Sequence, residues 1–105
     1  MLTRNIKVIA FNSIVEKAGF LFEENNRQFA FFYQDHNILI YDLYTGANVL
    51  KYQDNDLLNL THDLLIEFAR FYISKIAPEQ WDEATKKIKT DYPYIDFPVN
   101  KKFRL

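Results

Sequence analysis

Cysteine is absent from this chain. With it go disulfides, thiolate nucleophiles and cysteine-built zinc or iron–sulfur sites. Glycine is scarce, with Gly19 and Gly46 alone, so a glycine-rich phosphate loop cannot be built. The only serines, Ser13 and Ser74, stand in no nucleophile-elbow pattern. No run comes near the roughly 18 apolar residues that a membrane span needs. Charge of one sign is not in excess either. Thirteen basic residues face fourteen acidic ones, for a net charge of −1, which argues against the basic face of a duplex-DNA binder. Met1 to Ala10 carries Arg4 and Lys7 within its apolar stretch, so it does not read as a secretory leader. The expected compartment is the cytoplasm.

Apolar and aromatic material is abundant. Hydrophobic residues make up 49% of the 105-residue chain and aromatics 17%, with ten Phe and seven Tyr. Each buried aromatic removes about 150–250 Å² from water. A chain of this length can therefore close one core without staples. Phe, Tyr, Ile, Asn and Lys greatly outnumber Gly, Ala, Arg and Pro. The first group uses AT-rich codons, which points to a low-GC bacterium, or its phages and mobile elements, as the source.

The pattern predicts an α+β domain over 1–90 and an extended tail over 91–105. Residues 3–18 read as a helix. Thr3 stands at its N-cap, Ile6, Ala10, Ile14 and Ala18 recur every fourth residue, and Gly19 sits at its C-terminal stop. The rival reading is a strand over Ile6–Phe11. Three or four short strands follow, over 20–23, 28–34, 38–43 and 49–52. They are separated by turn residues at "ENNR", "DHN" and "YTGAN". Connections this short demand an antiparallel meander of three to four strands. Both faces of these strands are apolar, so both want cover.

Two C-terminal helices complete the domain. The first covers 55–76, capped by Asp54 or Asn55, with Leu57, Leu60, Leu64, Phe68 and Phe71 as its apolar stripe, widened by Leu58, Leu65, Tyr72 and Ile76 so that it suits burial against more than one neighbour. The second, "PEQWDEATKKI", begins with Pro78 at its first position. Its acidic residues lie at the start and its lysines near the end, as the helix dipole favours. Trp81, Ala84 and Ile88 form its inner face.

In "DYPYIDFPV" the prolines Pro93 and Pro98 forbid a regular helix. Tyr92, Tyr94, Ile95, Phe97 and Val99 are the candidate partner-binding residues. Either they run back over the domain and cover a sheet face the helices leave open, or they project as a peptide for a partner or a second copy.

Catalytic, cofactor and metal sites are not expected. His36 falls in a turn and His62 on a helix surface, without the H-E-x-x-H spacing a metal would want. Asp42, inside "ILIYDLY", is the one carboxylate in an apolar run; an edge position or a bond to a tyrosine hydroxyl accounts for it. Paired acids elsewhere cap helices or precede turns. The expected function is therefore non-enzymatic. The chain reads as a small protein-binding or self-associating domain, in the style of an accessory or inhibitor protein of a phage or mobile element. The alternative is single-stranded nucleic-acid binding. In it Phe29, Phe31, Tyr33 and Tyr41 would stack bases, and Arg27, Lys51, Lys101, Lys102 and Arg104 would meet phosphates.

Overall fold

The computed structural model describes residues 3–35, 37–53 and 61–101, without the side chain of His62. Five strands come first: β1 (Thr3–Ala10), β2 (Ser13–Glu24), β3 (Arg27–Gln34), β4 (Asn37–Asp42) and β5 (Asn48–Gln53). Two helices follow, α1 (His62–Ile73) and α2 (Pro78–Asp91). The strands form one antiparallel sheet in the order β1-β2-β3-β4-β5. The chain is thus α+β, but its meander has five strands rather than three or four, and among the described residues no helix stands at the N-terminus. None of the helices among the described residues is long and apolar enough to cross a membrane.

The segment expected to be helical is the β1–β2 hairpin. Ile6, Val8, Ile9, Ile14 and Val15 are β-branched, and such side chains fit a pleated surface better than a helix. Ala10 pairs with Ser13 across the two-residue turn Phe11–Asn12, whose φ values are 52° and 62°. Two left-handed residues in a two-residue loop match the twist of the flanking strands. Asn25–Asn26 repeats the device between β2 and β3, with φ of 52° and 61°. Gly19 ends no helix. It lies buried inside β2, where a Cβ would stand 3.3 Å from both the Ala30 Cβ and the Phe31 carbonyl oxygen.

One sheet face carries Phe22, Phe29, Phe31, Ile38 and Ile40, packed under Leu65, Ile66, Ala69 and Ile73 of α1 and Trp81 of α2. A bulge between Ile40 and Tyr41 lets Val49 and Leu50 both reach this core. The other face covers itself. Ile6 and Val8 of β1 join Ala30, Phe32, Tyr41 and Leu43 in a second cluster. On a flat sheet β1 and β4 would lie about 14 Å apart, so the sheet is rolled. The roll is latched where the Ile9 N–H donates to the Gly46 carbonyl at 2.7 Å. Gly46 has φ of +71°, and a Cβ there would meet Val99 Cγ2 at 2.9 Å and the Lys7 carbonyl oxygen at 3.2 Å. Gly46→Ala is expected to cost roughly 2–3 kcal/mol, from left-handed backbone strain plus a clash with the Val99 side chain and tight approach to the Lys7 carbonyl. A denaturant midpoint shift worth less than about 1 kcal/mol would mean that the turn and β1 part freely.

Thr61 caps α1, its hydroxyl accepting from the Leu64 N–H at 3.2 Å. The proposed caps Asp54 and Asn55, with Leu57, Leu58 and Leu60, lie outside the described residues. The inner stripe of α1 is Leu65, Ile66, Ala69 and Ile73, not Leu64, Phe68 and Phe71, which point outward. The helix is apolar on nearly every side, so spacing alone admits either stripe. The small Ala69 at the centre of the buried one lets the helix approach the aromatic sheet closely. In α2, Pro78 does occupy the first position, and the Gln80 side chain accepts from the Ala77 N–H at 2.8 Å. Trp81 is buried and Ile88 half-buried, but Ala84 is exposed.

Candidate functional site

The tail folds back on the domain from the end of α2. The Val99 N–H donates to the Tyr44 carbonyl at 3.0 Å, and the Phe97 ring stacks on Tyr44 at 6.5 Å. Val99 is buried, Phe97, Ile95 and Tyr92 are half-buried, and Tyr94 is 69% exposed. Beyond Val99, Asn100 is buried and ties β1 to β4: its amide meets the Lys7 N–H and carbonyl and the Leu43 carbonyl.

The two tyrosines of the tail converge on the β1–β2 turn. The Tyr92 hydroxyl donates to Asn12 Oδ1 at 3.1 Å, and the Tyr94 hydroxyl to the Asn12 carbonyl at 3.0 Å. Their rings meet edge to face at 6.2 Å. Above this support stands Phe11, 99% exposed. The hairpin tip thus presents one aromatic ring on a turn pinned from behind. Phe11 escaped the sequence reading because its segment reads as helix. The signal available was the dipeptide Phe11–Asn12 between two β-branched runs, with Asn suited to a left-handed turn.

Asp42 is 2% exposed and fully engaged. Its carboxylate accepts from Arg27 Nη2 at 2.7 Å, the Thr45 hydroxyl at 2.8 Å, the Thr45 N–H at 3.2 Å and the Tyr44 N–H at 3.4 Å. No tyrosine hydroxyl takes part. The Arg27 guanidinium lies 4.7 Å from the Trp81 ring centre and 5.8 Å from that of Tyr44. This carboxylate holds a turn and a cation in place. A groove of about 420 Å³ runs beside it, lined by Thr45, Val49, Ile76, Trp81, Ile88 and Tyr92 among others. Among the described residues no three His, Asp or Glu side chains gather closely enough to hold a metal ion. His36 and the side chain of His62 lie outside the described residues.

The aromatic platform of the nucleic-acid alternative is taken up by the core. Phe29, Phe31 and Tyr41 are buried, and only Tyr33 of the four reaches the surface. Arg27 is held by Asp42, and Lys101 pairs with Asp96; Lys102 and Arg104 lie outside the described residues. Burial pushes the Tyr41 phenol above its ordinary pKa; burial, then the nearby Tyr72, does the same for Tyr52. Both stay neutral in ordinary buffers.

No family model, curated protein or solved structure matches the chain.

Proposed function

We propose that this chain acts by binding another protein, without catalysis, and that Phe11 is its anchor. The observation that carries this is a phenylalanine 99% exposed at φ of 52°. A bulky residue pays twice in that position, since water gains nothing from the ring and the left-handed backbone costs roughly 1 kcal/mol relative to Asn or Gly. Strain of this kind concentrates where a side chain must be presented. The tail tyrosines pin the turn through Asn12, so little ordering entropy remains to be lost on docking. A rigid protruding aromatic is the usual centre of an interface hot spot, received by an apolar pocket. Tyr94, beside it and largely exposed, supplies a ring with a polar tip.

Phe11→Asn separates binding from folding. It is expected to raise stability by about 0.5–1 kcal/mol, because Asn accepts the left-handed turn. It is also expected to abolish co-purification of a stoichiometric partner with the tagged chain. Thermal melts and a paired pull-down read the two effects. A destabilised Phe11→Asn protein, or one that retains its partner, would sink the assignment.

A further inference from the structure

We infer that the outer face of α1 is a second, independent interface, and that its occupant is the same face of another copy of this chain, packed antiparallel. Leu64, Phe68, Phe71 and Tyr72 are each between 47% and 55% exposed. At about 200 Å² per full side chain they present roughly 400 Å² of contiguous apolar surface, the size of the largest patch on a typical monomer, which is often functional. Phe71 and Tyr72 touch edge to face at 5.6 Å, and Tyr72 continues to Tyr52 of β5 at 6.3 Å. The patch therefore spans helix and sheet edge.

Charge selects the occupant. At 100° per residue, Leu64, Phe68 and Phe71 line one ridge of α1, and Lys75 follows just past its end. Asp63 and Glu67, both exposed, flank its N-terminal half. Lys75 closes its C-terminal end, with its ammonium 4.1 Å from the Phe71 ring centre. The same flank holds Arg70, already engaged by the Glu23 carbonyl and Glu24, so its charge is taken up within the copy. Suppose two such ridges meet about a two-fold axis between Phe68 and Phe71. Phe68 of each copy then packs on Phe71 of the other. Lys75 of each copy comes level with Leu64 of the other, between the carboxylates Asp63 and Glu67. The helix dipoles oppose, which is the favourable sense. A parallel arrangement would set lysine on lysine and carboxylate on carboxylate. The face is acidic at one end and basic at the other, so its own antiparallel copy complements it. The area is about half of what one partner contributes to a standard interface, so the dimer is a weak one, with a dissociation constant in roughly the micromolar range.

Sedimentation equilibrium over a concentration series tests this on the full chain. A reversible monomer–dimer equilibrium is expected. Phe68→Ser with Phe71→Ser should weaken it at least about 100-fold; both side chains are half-exposed, and an unchanged melting curve will show that the variant folds. Glu67→Lys or Lys75→Glu alone should each weaken it by a factor of about 3–5, the worth of an exposed ion pair. The two together should restore it. A chain that remains monomeric at every concentration overturns the inference. So does a dimer indifferent to the serine pair, or a combined charge variant no tighter than either single one. Because the readout is self-association, its failure leaves the Phe11 assignment standing, and failure of the partner pull-down leaves this one standing.

Discussion

Asp42→Asn is expected to lower stability by about 3–5 kcal/mol, the largest effect of any single polar substitution in this chain. The reason lies in what remains after the charge is gone. Arg27, the Thr45 hydroxyl and the Thr45 N–H all donate to Asp42 Oδ2, and the Tyr44 N–H donates to Oδ1. An amide of the same size can keep its oxygen at the Oδ2 site, but it turns its NH2 toward the Tyr44 N–H and removes the negative charge that faces the half-buried Arg27. The Arg27 side chain is only 22% exposed, and its Nε has no partner among the described residues. Without Asp42 a guanidinium stays sandwiched by Trp81 and Tyr44 with no counter-charge. Arg27→Met in the same background should recover part of the loss, because the apolar methionine chain still covers part of Trp81 and no orphan cation remains. Arg27→Met alone should cost less than Asp42→Asn, since the carboxylate keeps its three bonds to the turn. For a domain near 100 residues, 3 kcal/mol corresponds to a fall of roughly 12–24 °C in melting temperature. A large loss for Asp42→Asn with none of it recovered in the double variant would mean that Asp42 acts through the turn and that the ion pair is incidental.

How far this arrangement can be read from the residues depends on the range over which each signal acts. The hairpin closed by Asn25–Asn26 is legible, because a turn needing two left-handed residues names the residues that tolerate it. The first position of α2 is legible for the same local reason, in Pro78. The N-terminal hairpin is not. Ile6, Ala10, Ile14 and Ala18 make a true four-residue stripe, and Thr3 and Gly19 stand where caps belong. The competing evidence, β-branched residues on both sides of Phe11–Asn12, is equally local and has the same length. Tertiary pairing decides: Ile6 and Val8 gain a buried site beside Phe32 and Tyr41 only as strand residues. The outward turn of Leu64, Phe68 and Phe71 was illegible for a related reason. Two apolar stripes share α1, and the choice between them is made by Ala69 against the sheet. The surfaces with candidate roles are those where local rules are broken. Phe11 defies its backbone, and the outer stripe of α1 defies its solvent. Neither violation is visible until the fold says which residues face water.

Asn100 shows how one polar side chain can stand in for a missing strand. The outer edge of β1 offers the Lys7 N–H and carbonyl to nothing else in the sheet. Asn100 Oδ1 accepts from that N–H at 2.7 Å; its Nδ2 donates to the Lys7 carbonyl at 2.9 Å and to the Leu43 carbonyl at 2.8 Å. An amide has the donor and acceptor pattern of a peptide unit, so it pairs with β1 as a neighbouring strand would and joins that edge to the end of β4. The residue is 4% exposed, and it holds in register the roll that buries Ile6 and Val8. Asn100→Ala is expected to cost about 2–4 kcal/mol: the Leu43 carbonyl is left buried and unpaired, while the Lys7 groups recover water at the edge. Asn100→Asp discriminates the cause. It has the same shape and still accepts from Lys7, but it carries a charge and aims a second oxygen at two carbonyls. Near neutral pH it should be at least as destabilised as the alanine variant. Below pH 4, relative to the parent chain, the gap should narrow, because a protonated carboxyl regains one donor. If Asn100→Asp instead matches the parent at neutral pH, the latch is steric, and the roll is held by the Ile9–Gly46 bond and the packing of Val99 alone.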